Sequence, residues 1–228
     1  MIAAPKRWTA SIEGYLRTIY GIAERSPGEV TTTALADSLG VGLSSVSGMV
    51  RKLSQLGLVT HLAYQDVHLT PTGLRVALAA TRRHRLLELF LAQELGLDWD
   101  EVHDEASALE HAVSDRLIDA IAARLGDPTL DPHGDPIPTR GGDVPQVEAL
   151  SLAELEPGAR GEIVRVRDSD PELLRYLSAC DIGLGSQVEV VGRQPFGGPV
   201  IVRVGRPPQV TLHTFGEQLA AALSVRVS

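Results

Sequence analysis

The chain has 228 residues, 43% of them hydrophobic and 4% aromatic, which allows one large domain or two to three small ones. The single Cys180 excludes an internal disulfide, and no apolar run approaches the roughly 18 residues that span a bilayer. The first residues also lack the apolar segment of a signal peptide. We therefore expect a cytoplasmic protein with no membrane partner. The net charge of −8 is unevenly distributed: residues 1–85 contain 10 Lys/Arg and 5 Asp/Glu, whereas residues 86–148 contain 3 Lys/Arg and 15 Asp/Glu. The basic first segment is suited to contact a polyanion, and the acidic middle segment is suited to attract cations.

The first 71 residues predict three short helices followed by a β-hairpin. Ile12, Leu16 and Ile19 recur at three-to-four spacing and predict a helix over 8–25. A threonine-rich start predicts a second helix over 32–39, and a third follows over 44–56 after a glycine turn. Two short apolar stretches, at 58–62 and 67–70, then predict a hairpin. This order indicates a winged helix-turn-helix domain over 1–71.

The third helix is the element that such a domain places in the major groove of DNA. Small hydroxyl residues on its exposed face allow close approach, and basic side chains bind phosphates. The alternative is a plain three-helix bundle with a solvated serine-rich face. Because few side chains here can read bases, specificity would depend on DNA shape and dimer spacing. The candidate DNA-binding residues are Thr33, Ser44, Ser45, Ser47, Gly48, Arg51 and Lys52.

From residue 72 the pattern becomes strongly helical, and it changes again near residue 150. Helices are expected over 72–95, 100–113 and 114–125, in a helical domain over 72–140 whose segment 72–125 forms a dimer interface. A Pro- and Gly-rich linker over 141–149 follows. Residues 150–228 alternate apolar stretches at 161–167, 187–192 and 199–204 with a short helix over 171–179, which predicts a small β-barrel.

Three of the seven histidines lie within 28 residues, among carboxylates. His84 and Glu88 are four apart, so they share one helix face about 6 Å apart. His103 and His111, on one continuous helix, would lie about 12 Å apart, too far for one ion with ligand bonds of about 2 Å. Geometry therefore predicts two metal sites, one of them joining His103 to His84 and Glu88 across two packed helices. Imidazole and carboxylate without thiolate favour Mn²⁺ or Fe²⁺.

The sequence resembles the diphtheria toxin repressor family of iron- and manganese-dependent regulators, most closely its actinobacterial manganese-sensing branch. The resemblance implies a mainly α fold with a small β part: a winged helix-turn-helix, a helical metal-binding dimerisation domain and a C-terminal SH3-like domain over 150–228. At the position where iron regulators use a glutamine for base contact, this chain has Gly48. The matching segments are Tyr15-Leu-Arg-Thr-Ile-Tyr20, Leu69-Thr-Pro-Thr-Gly73, Arg83-His84-Arg-Leu-Leu-Glu88, Val102-His103-Asp-Glu-Ala, Glu110-His111-Ala-Val-Ser-Asp115 and Asp131-Pro-His-Gly-Asp-Pro-Ile-Pro138.

The resemblance implies an ancillary metal site at His84, Glu88 and His103. In longer members of the family the SH3-like domain adds ligands to this site. The corresponding positions here are Arg165, which cannot bind a metal, and Asp168, with Asp170 as a nearby alternative.

The resemblance also implies a primary metal site at Glu110 and His111. Two further family ligands fall on Gly14 and Ser107, which departs from the pattern. The resemblance leaves open whether this site is weak, uses the Ser107 hydroxyl or a backbone carbonyl, recruits Glu13, or is absent.

These observations predict a homodimeric transcriptional repressor of metal-homeostasis genes that binds a palindromic operator when loaded with Mn²⁺ or Fe²⁺. Two alternatives within the same fold are an iron-dependent regulator of the same family and a winged-helix regulator with degenerate metal control. A metallohydrolase using His84, Glu88 and His103 would need a general base, and none stands at a suitable spacing. An enzyme would also leave the basic N-terminal segment unexplained. A purely structural interaction protein is a further alternative. We therefore expect no enzyme activity and no small organic substrate.

Overall fold

The fold is that of a computed structural model, which describes residues 8–25, 30–61, 66–167, 170–206 and 208–228. The chain divides into two compact units. The first contains Met1–His84, Glu110–Val113 and Pro138–Asp143, and the second contains Arg85–Leu109, Ser114–Ile137 and Val144–Ser228. One long helix passes from the first unit to the second between His84 and Arg85.

The first unit is a winged helix-turn-helix, as expected. Its helices are α1 (Ala10–Arg25), α2 (Thr32–Leu39) and α3 (Leu43–Gln55), and the wing pairs β1 (Val59–Thr60) with β2 (His68–Leu69) in antiparallel register. The core of this unit includes Leu16, Ile19, Leu35, Val46, Val50, Leu53 and Leu58, each at most 1% exposed.

Local signals define the ends of these elements. The Thr31 hydroxyl accepts the Ala34 amide at the start of α2, and Gly40 ends that helix in the left-handed region. The Thr70 hydroxyl accepts the Gly73 amide at the start of α4 (Pro71–Leu95) and donates to the Gly57 carbonyl oxygen 2.7 Å away. The start of the long helix is therefore tied to the turn that follows the third helix.

Two short helices follow α4: α5 (Val102–Leu109) and α6 (Asp115–Arg124). The expectation of one helix over 100–113 is wrong at its end, because Glu110 and His111 lie in a turn beyond Leu109. The Ser114 hydroxyl accepts the Leu117 amide and starts α6. A new helix that begins so soon after the last one ends leaves no room for another turn of α5.

The C-terminal part of the second unit is a six-stranded antiparallel sheet in the order β3-β8-β4-β5-β6-β7. Its helices are α7 (Pro171–Ala179) and α8 (Glu217–Ala222). Phe215, Ile163, Leu174 and Leu177 are among its fully buried core residues. The strands are β3 (Leu150–Ser151), β4 (Arg160–Val166), β5 (Gln187–Arg193), β6 (Val200–Arg206), β7 (Gln209–Phe215) and β8 (Leu223–Val227).

The Pro-rich loop at 127–137 packs against β4. The Val166 amide donates to the His133 carbonyl at 2.8 Å, and Gly134 has a φ of +84°. A Cβ on Gly134 would lie 2.0 Å from the Val164 carbonyl oxygen, so only glycine fits there. Within the described ranges, the chain contains no helix that combines the length and the apolar character needed to cross a membrane.

Gly134→Ala should destabilise the second unit more than Gly185→Ala does. Gly185 also has a φ of +84°, but nothing lies within 4 Å of the position that a Cβ would take there. Both substitutions incur the strain of a left-handed residue, about 1–2 kcal/mol, and Gly134→Ala adds the clash with β4, about 1–3 kcal/mol more. Urea unfolding followed by tryptophan fluorescence measures the difference, and equal losses would contradict the close packing of the loop.

Candidate metal centre

Helix α4 carries a buried carboxylate near its centre. Glu88 is 0% exposed and His84, one turn earlier on the same face, is 3% exposed. Burial of an ionised carboxylate is costly unless partners or a metal compensate for the lost hydration. The partners of Glu88 therefore indicate what this part of the molecule binds.

His103 is the first partner. From α5, its Nδ1 lies 3.0 Å from Glu88 Oε1. His84, Glu88 and His103 each offer one ligand atom, and these atoms all lie within 4.8 Å of one another. The structure thus brings together the three residues predicted for the ancillary site.

A second group shares Glu88 and is not predicted by the sequence. Asp131 and His133, both in the 127–137 loop, offer ligand atoms within 4.8 Å of each other and of Glu88, and all three residues are buried. From the sequence, residues 131–138 of this loop contribute only to the family resemblance. The sequence offers one signal for this group, an aspartate and a histidine two residues apart in a Pro- and Gly-rich loop. Their spacing does not predict that they lie close to Glu88.

Hydrogen bonds leave one nitrogen of His133 suited to a metal. Nε2 lies 2.7 Å from the Trp99 carbonyl oxygen, which can only accept, so Nε2 carries the proton. The Trp99 and His133 rings stack with centroids 6.0 Å apart. In the tautomer with that proton, Nδ1 carries the lone pair, and it is a buried atom that lacks a hydrogen-bond partner within the described ranges. A carbonyl that fixes the tautomer of a ligating histidine is the usual arrangement in metal sites, so this group fits a divalent ion.

The aspartates of the loop differ in their surroundings. Asp131 Oδ1 accepts the amides of His133 and Asp135, both at 2.9 Å, which shapes the loop. Asp135 pairs with Arg85 at 3.3 Å and also with Arg165. Arg85 lies 3.7 Å from the other oxygen of Asp131. Arg85 thus faces both aspartates and Arg165 pairs with Asp135, and Asp131 is the one that offers a ligand atom to the Glu88 group.

The predicted primary site has a different environment. Glu110 is 4% exposed, and its carboxylate lies 2.9 Å from His84 Nδ1 and 3.3 Å from His111 Nε2. Burial alone would raise the pKa of Glu110, but the hydrogen bond from His84 and the charges of Arg17, His84 and His111 lower it below its ordinary value. Glu13 pairs with Arg83 at 3.0 Å and lies 3.8 Å from His111. Charged and hydrogen-bonding partners thus surround both carboxylates.

The other predicted ligand positions have varied surroundings, and among the described carboxylates Asp170 belongs to neither group of ligand atoms. Ser107 is a half-buried residue of α5, and Gly14 lies on α1 with open space where a Cβ would stand. Asp170 Oδ1 accepts the amides of Glu172 and Leu173 as the cap of α7, so this oxygen has a structural use. Asp168 lies outside the described residues.

The predicted DNA-binding residues are exposed side chains and backbone of the first unit. The apolar residues of α3 point into the core, and the polar face of that helix is open to solvent. Nothing lies within 4 Å of a Cβ built on Gly48, which leaves that position open to close approach. All seven are exposed: Thr33, Ser44, Ser45, Ser47, Gly48, Arg51 and Lys52.

Three family models match the chain in succession. Residues 7–67 match the iron-dependent repressor N-terminal DNA-binding domain, and residues 70–139 match the iron-dependent repressor metal-binding and dimerisation domain. Residues 150–227 match the FeoA domain. Together these matches cover most of the chain.

Individual proteins agree with these models. The diphtheria toxin repressor of Corynebacterium efficiens is 33% identical over 80% of this chain and 83% of its own length. The iron-dependent repressor IdeR of Mycobacterium leprae is 32% identical over 88% and 91%. Among solved structures, a manganese-dependent transcriptional repressor in complex with manganese is 44% identical with a TM-score of 0.90, covering 95% of this chain and 100% of that one.

Glu88→Gln should weaken every Mn²⁺ binding event at this centre, because both ligand groups use Glu88. Loss of a direct ligand should cost at least about 100-fold in affinity, since even outer residues of metal sites cost 10–100-fold. His103→Ala should weaken Mn²⁺ binding at the group with His84, and His133→Ala should weaken Mn²⁺ binding at the group with Asp131. Calorimetric titration measures this, with Glu94→Gln on the same helix as control. Wild-type binding by His133→Ala would exclude the loop as a ligand.

Proposed function

The chain belongs to the diphtheria toxin repressor family of metal-dependent transcriptional regulators, and we propose that it represses metal-homeostasis genes by binding operator DNA as a homodimer when loaded with Mn²⁺ or Fe²⁺. The observation that carries the proposal is the buried Glu88 carboxylate, which two groups of imidazole and carboxylate ligands share. Its relatives are named as repressors, and a cytoplasmic protein without enzymatic activity is the matching proposal.

The donor set supports manganese or iron. The residues that would hold the ion are His84, Glu88 and His103, and in the second group Glu88, Asp131 and His133. These groups contain imidazole and carboxylate donors and no thiolate, which favours Mn²⁺ or Fe²⁺ over soft metals. The 44% identical manganese-bound repressor favours Mn²⁺.

Helix α4 is the means by which metal binding would reach the DNA-binding residues. The helix is continuous from Pro71 to Leu95, so Glu88 and the residues at the start of α4 belong to the same helix. At that start, Thr70 bonds to the carbonyl of Gly57, in the turn after α3. Ordering α4 by metal therefore restricts the recognition helix, and such coupling between sites is typically about 1–3 kcal/mol.

Exposed apolar side chains on α4, α5 and α6 support dimerisation through these helices. Leu95 is 59% exposed, Leu117 47% and Leu109 38%. Large apolar groups in this number are better buried against a second copy, and a two-fold dimer presents two recognition helices to a palindromic operator. We propose the same domain limits as from the sequence: DNA-binding 1–71, dimerisation and metal binding 72–140, linker 141–149 and SH3-like 150–228.

The test is binding to DNA selected from a random library with the metal-free protein plus MnCl₂. Wild type should bind more tightly as Mn²⁺ is added, and Glu88→Gln should require much more Mn²⁺, because it removes the shared ligand. Glu94→Gln, which alters an exposed pair with Arg124, should behave as wild type. Metal-independent binding by wild type would instead favour a winged-helix regulator with degenerate metal control.

Arg51→Ala and Lys52→Ala should each weaken binding to all DNA sequences to a similar extent. Both side chains are exposed on α3, where they would neutralise phosphates rather than read bases. The slope of log affinity against log salt should fall by about one per substitution. Titrations at several salt concentrations measure it. Loss confined to one base pair would show that the side chain reads sequence.

A further inference from the structure

Two acidic side chains of the first unit, Glu13 and Glu110, lie in a cluster that contains its own cations. Arg83 Nη1 lies 3.0 Å from Glu13 Oε2, and Arg17 Nη2 lies 3.5 Å from Glu110 Oε1. The Glu13, Arg83 and Glu110 side chains are 12%, 11% and 5% exposed. The cluster thus holds two carboxylates and two guanidinium groups, with little solvent around either carboxylate.

The oxygens of Glu110 are already used. Oε2 accepts from His84 at 2.9 Å, and Oε1 faces both Arg17 at 3.5 Å and His111 Nε2 at 3.3 Å. Oε2 of Glu13 has Arg83 at 3.0 Å and His111 Nδ1 at 3.8 Å. A divalent ion bound to either carboxylate would have to displace a guanidinium or lie beside it, and two cations at such distances repel each other.

The donor set around this cluster also does not fit an ion. The family pattern would require ligands at positions 14 and 107, which here are a glycine without a side chain and a serine with one neutral hydroxyl. Among described residues, the groups of ligand atoms that come within 4.8 Å of one another include neither Glu13 nor Glu110. The residues of the cluster around Glu13 and Glu110 therefore do not match a metal site.

We propose that Arg17 and Arg83 neutralise Glu110 and Glu13 in place of a metal ion, so that ion pairs hold α1 to α4 and to the turn at Glu110 whether or not metal is present. Glu13 lies on α1, Arg83 lies on α4 and Glu110 lies in the turn, so the pairs join three segments of one unit. Metal is then bound only at the Glu88 groups. This inference rests on the proposed function, because it assigns metal sensing to that centre.

The experiment counts Mn²⁺ ions bound per chain and measures thermal stability without metal. Free Mn²⁺ is followed by its electron paramagnetic resonance signal during titration of the full-length protein. Glu110→Gln and His111→Ala should bind the same number of ions as wild type, whereas Glu88→Gln should bind fewer. Without metal, Arg17→Gln should lower the melting temperature more than Arg124→Gln, which breaks only the exposed pair with Glu94.

Loss of one ion in Glu110→Gln or His111→Ala would overturn the inference, because the cluster would then be a metal site. Equal melting temperatures of Arg17→Gln and Arg124→Gln would overturn it as well. His111 has a side chain 32% exposed, so His111→Ala keeps the count testable if Glu110→Gln fails to fold. Wild-type ion binding by Glu88→Gln would instead refute the proposed metal centre, whatever the Glu110 variants do.

Discussion

The structure depends most on how it accommodates the Glu88 carboxylate, which is completely buried on the long helix. Water cannot hydrate it, so neighbouring groups or an ion must balance its charge. His103 from α5 lies 3.0 Å away, and the 127–137 loop brings Asp131 and His133 within reach. Each of these segments must keep its path for the carboxylate to remain satisfied. Packing of the loop on β4, the glycine at 134 and the hydrogen bond of His133 to Trp99 follow from that requirement.

Two buried carboxylates of this chain, those of Glu88 and Glu110, have different surroundings. Glu88 has the imidazoles of two histidine-containing groups and a second carboxylate within reach, a set of donors that could hold an ion. Glu110 has Arg17 and two histidines, and its pKa is held low by them although burial alone would raise it. The same residue type therefore belongs to a candidate metal centre in one place and to an ion-paired cluster in the other. The difference is made by which side chains face the carboxylate.

The long helix α4 connects these sites with the DNA-binding domain. Its start is capped by Thr70 beside the turn after α3, its centre carries His84 and Glu88, and its end exposes Leu95. His84 lies at the change from one environment to the other, because its Nδ1 faces Glu110 while it also belongs to the Glu88 group. DNA binding, metal binding and association of two copies are thus proposed to meet on a single helix.

The sequence alone determined the fold class, the winged helix and the pair His84 and Glu88, because helical periodicity places residues four apart on one face. It also predicted His103 as their partner, which the structure brings to Glu88. It could not find Asp131 and His133 as candidate ligands, since they reach Glu88 only through the path of an irregular loop. Nor could it predict that α5 ends at Leu109, or that Arg17 and Arg83 face Glu110 and Glu13. Contacts between residues 70 or 93 positions apart have no local period, so only the tertiary structure decided them.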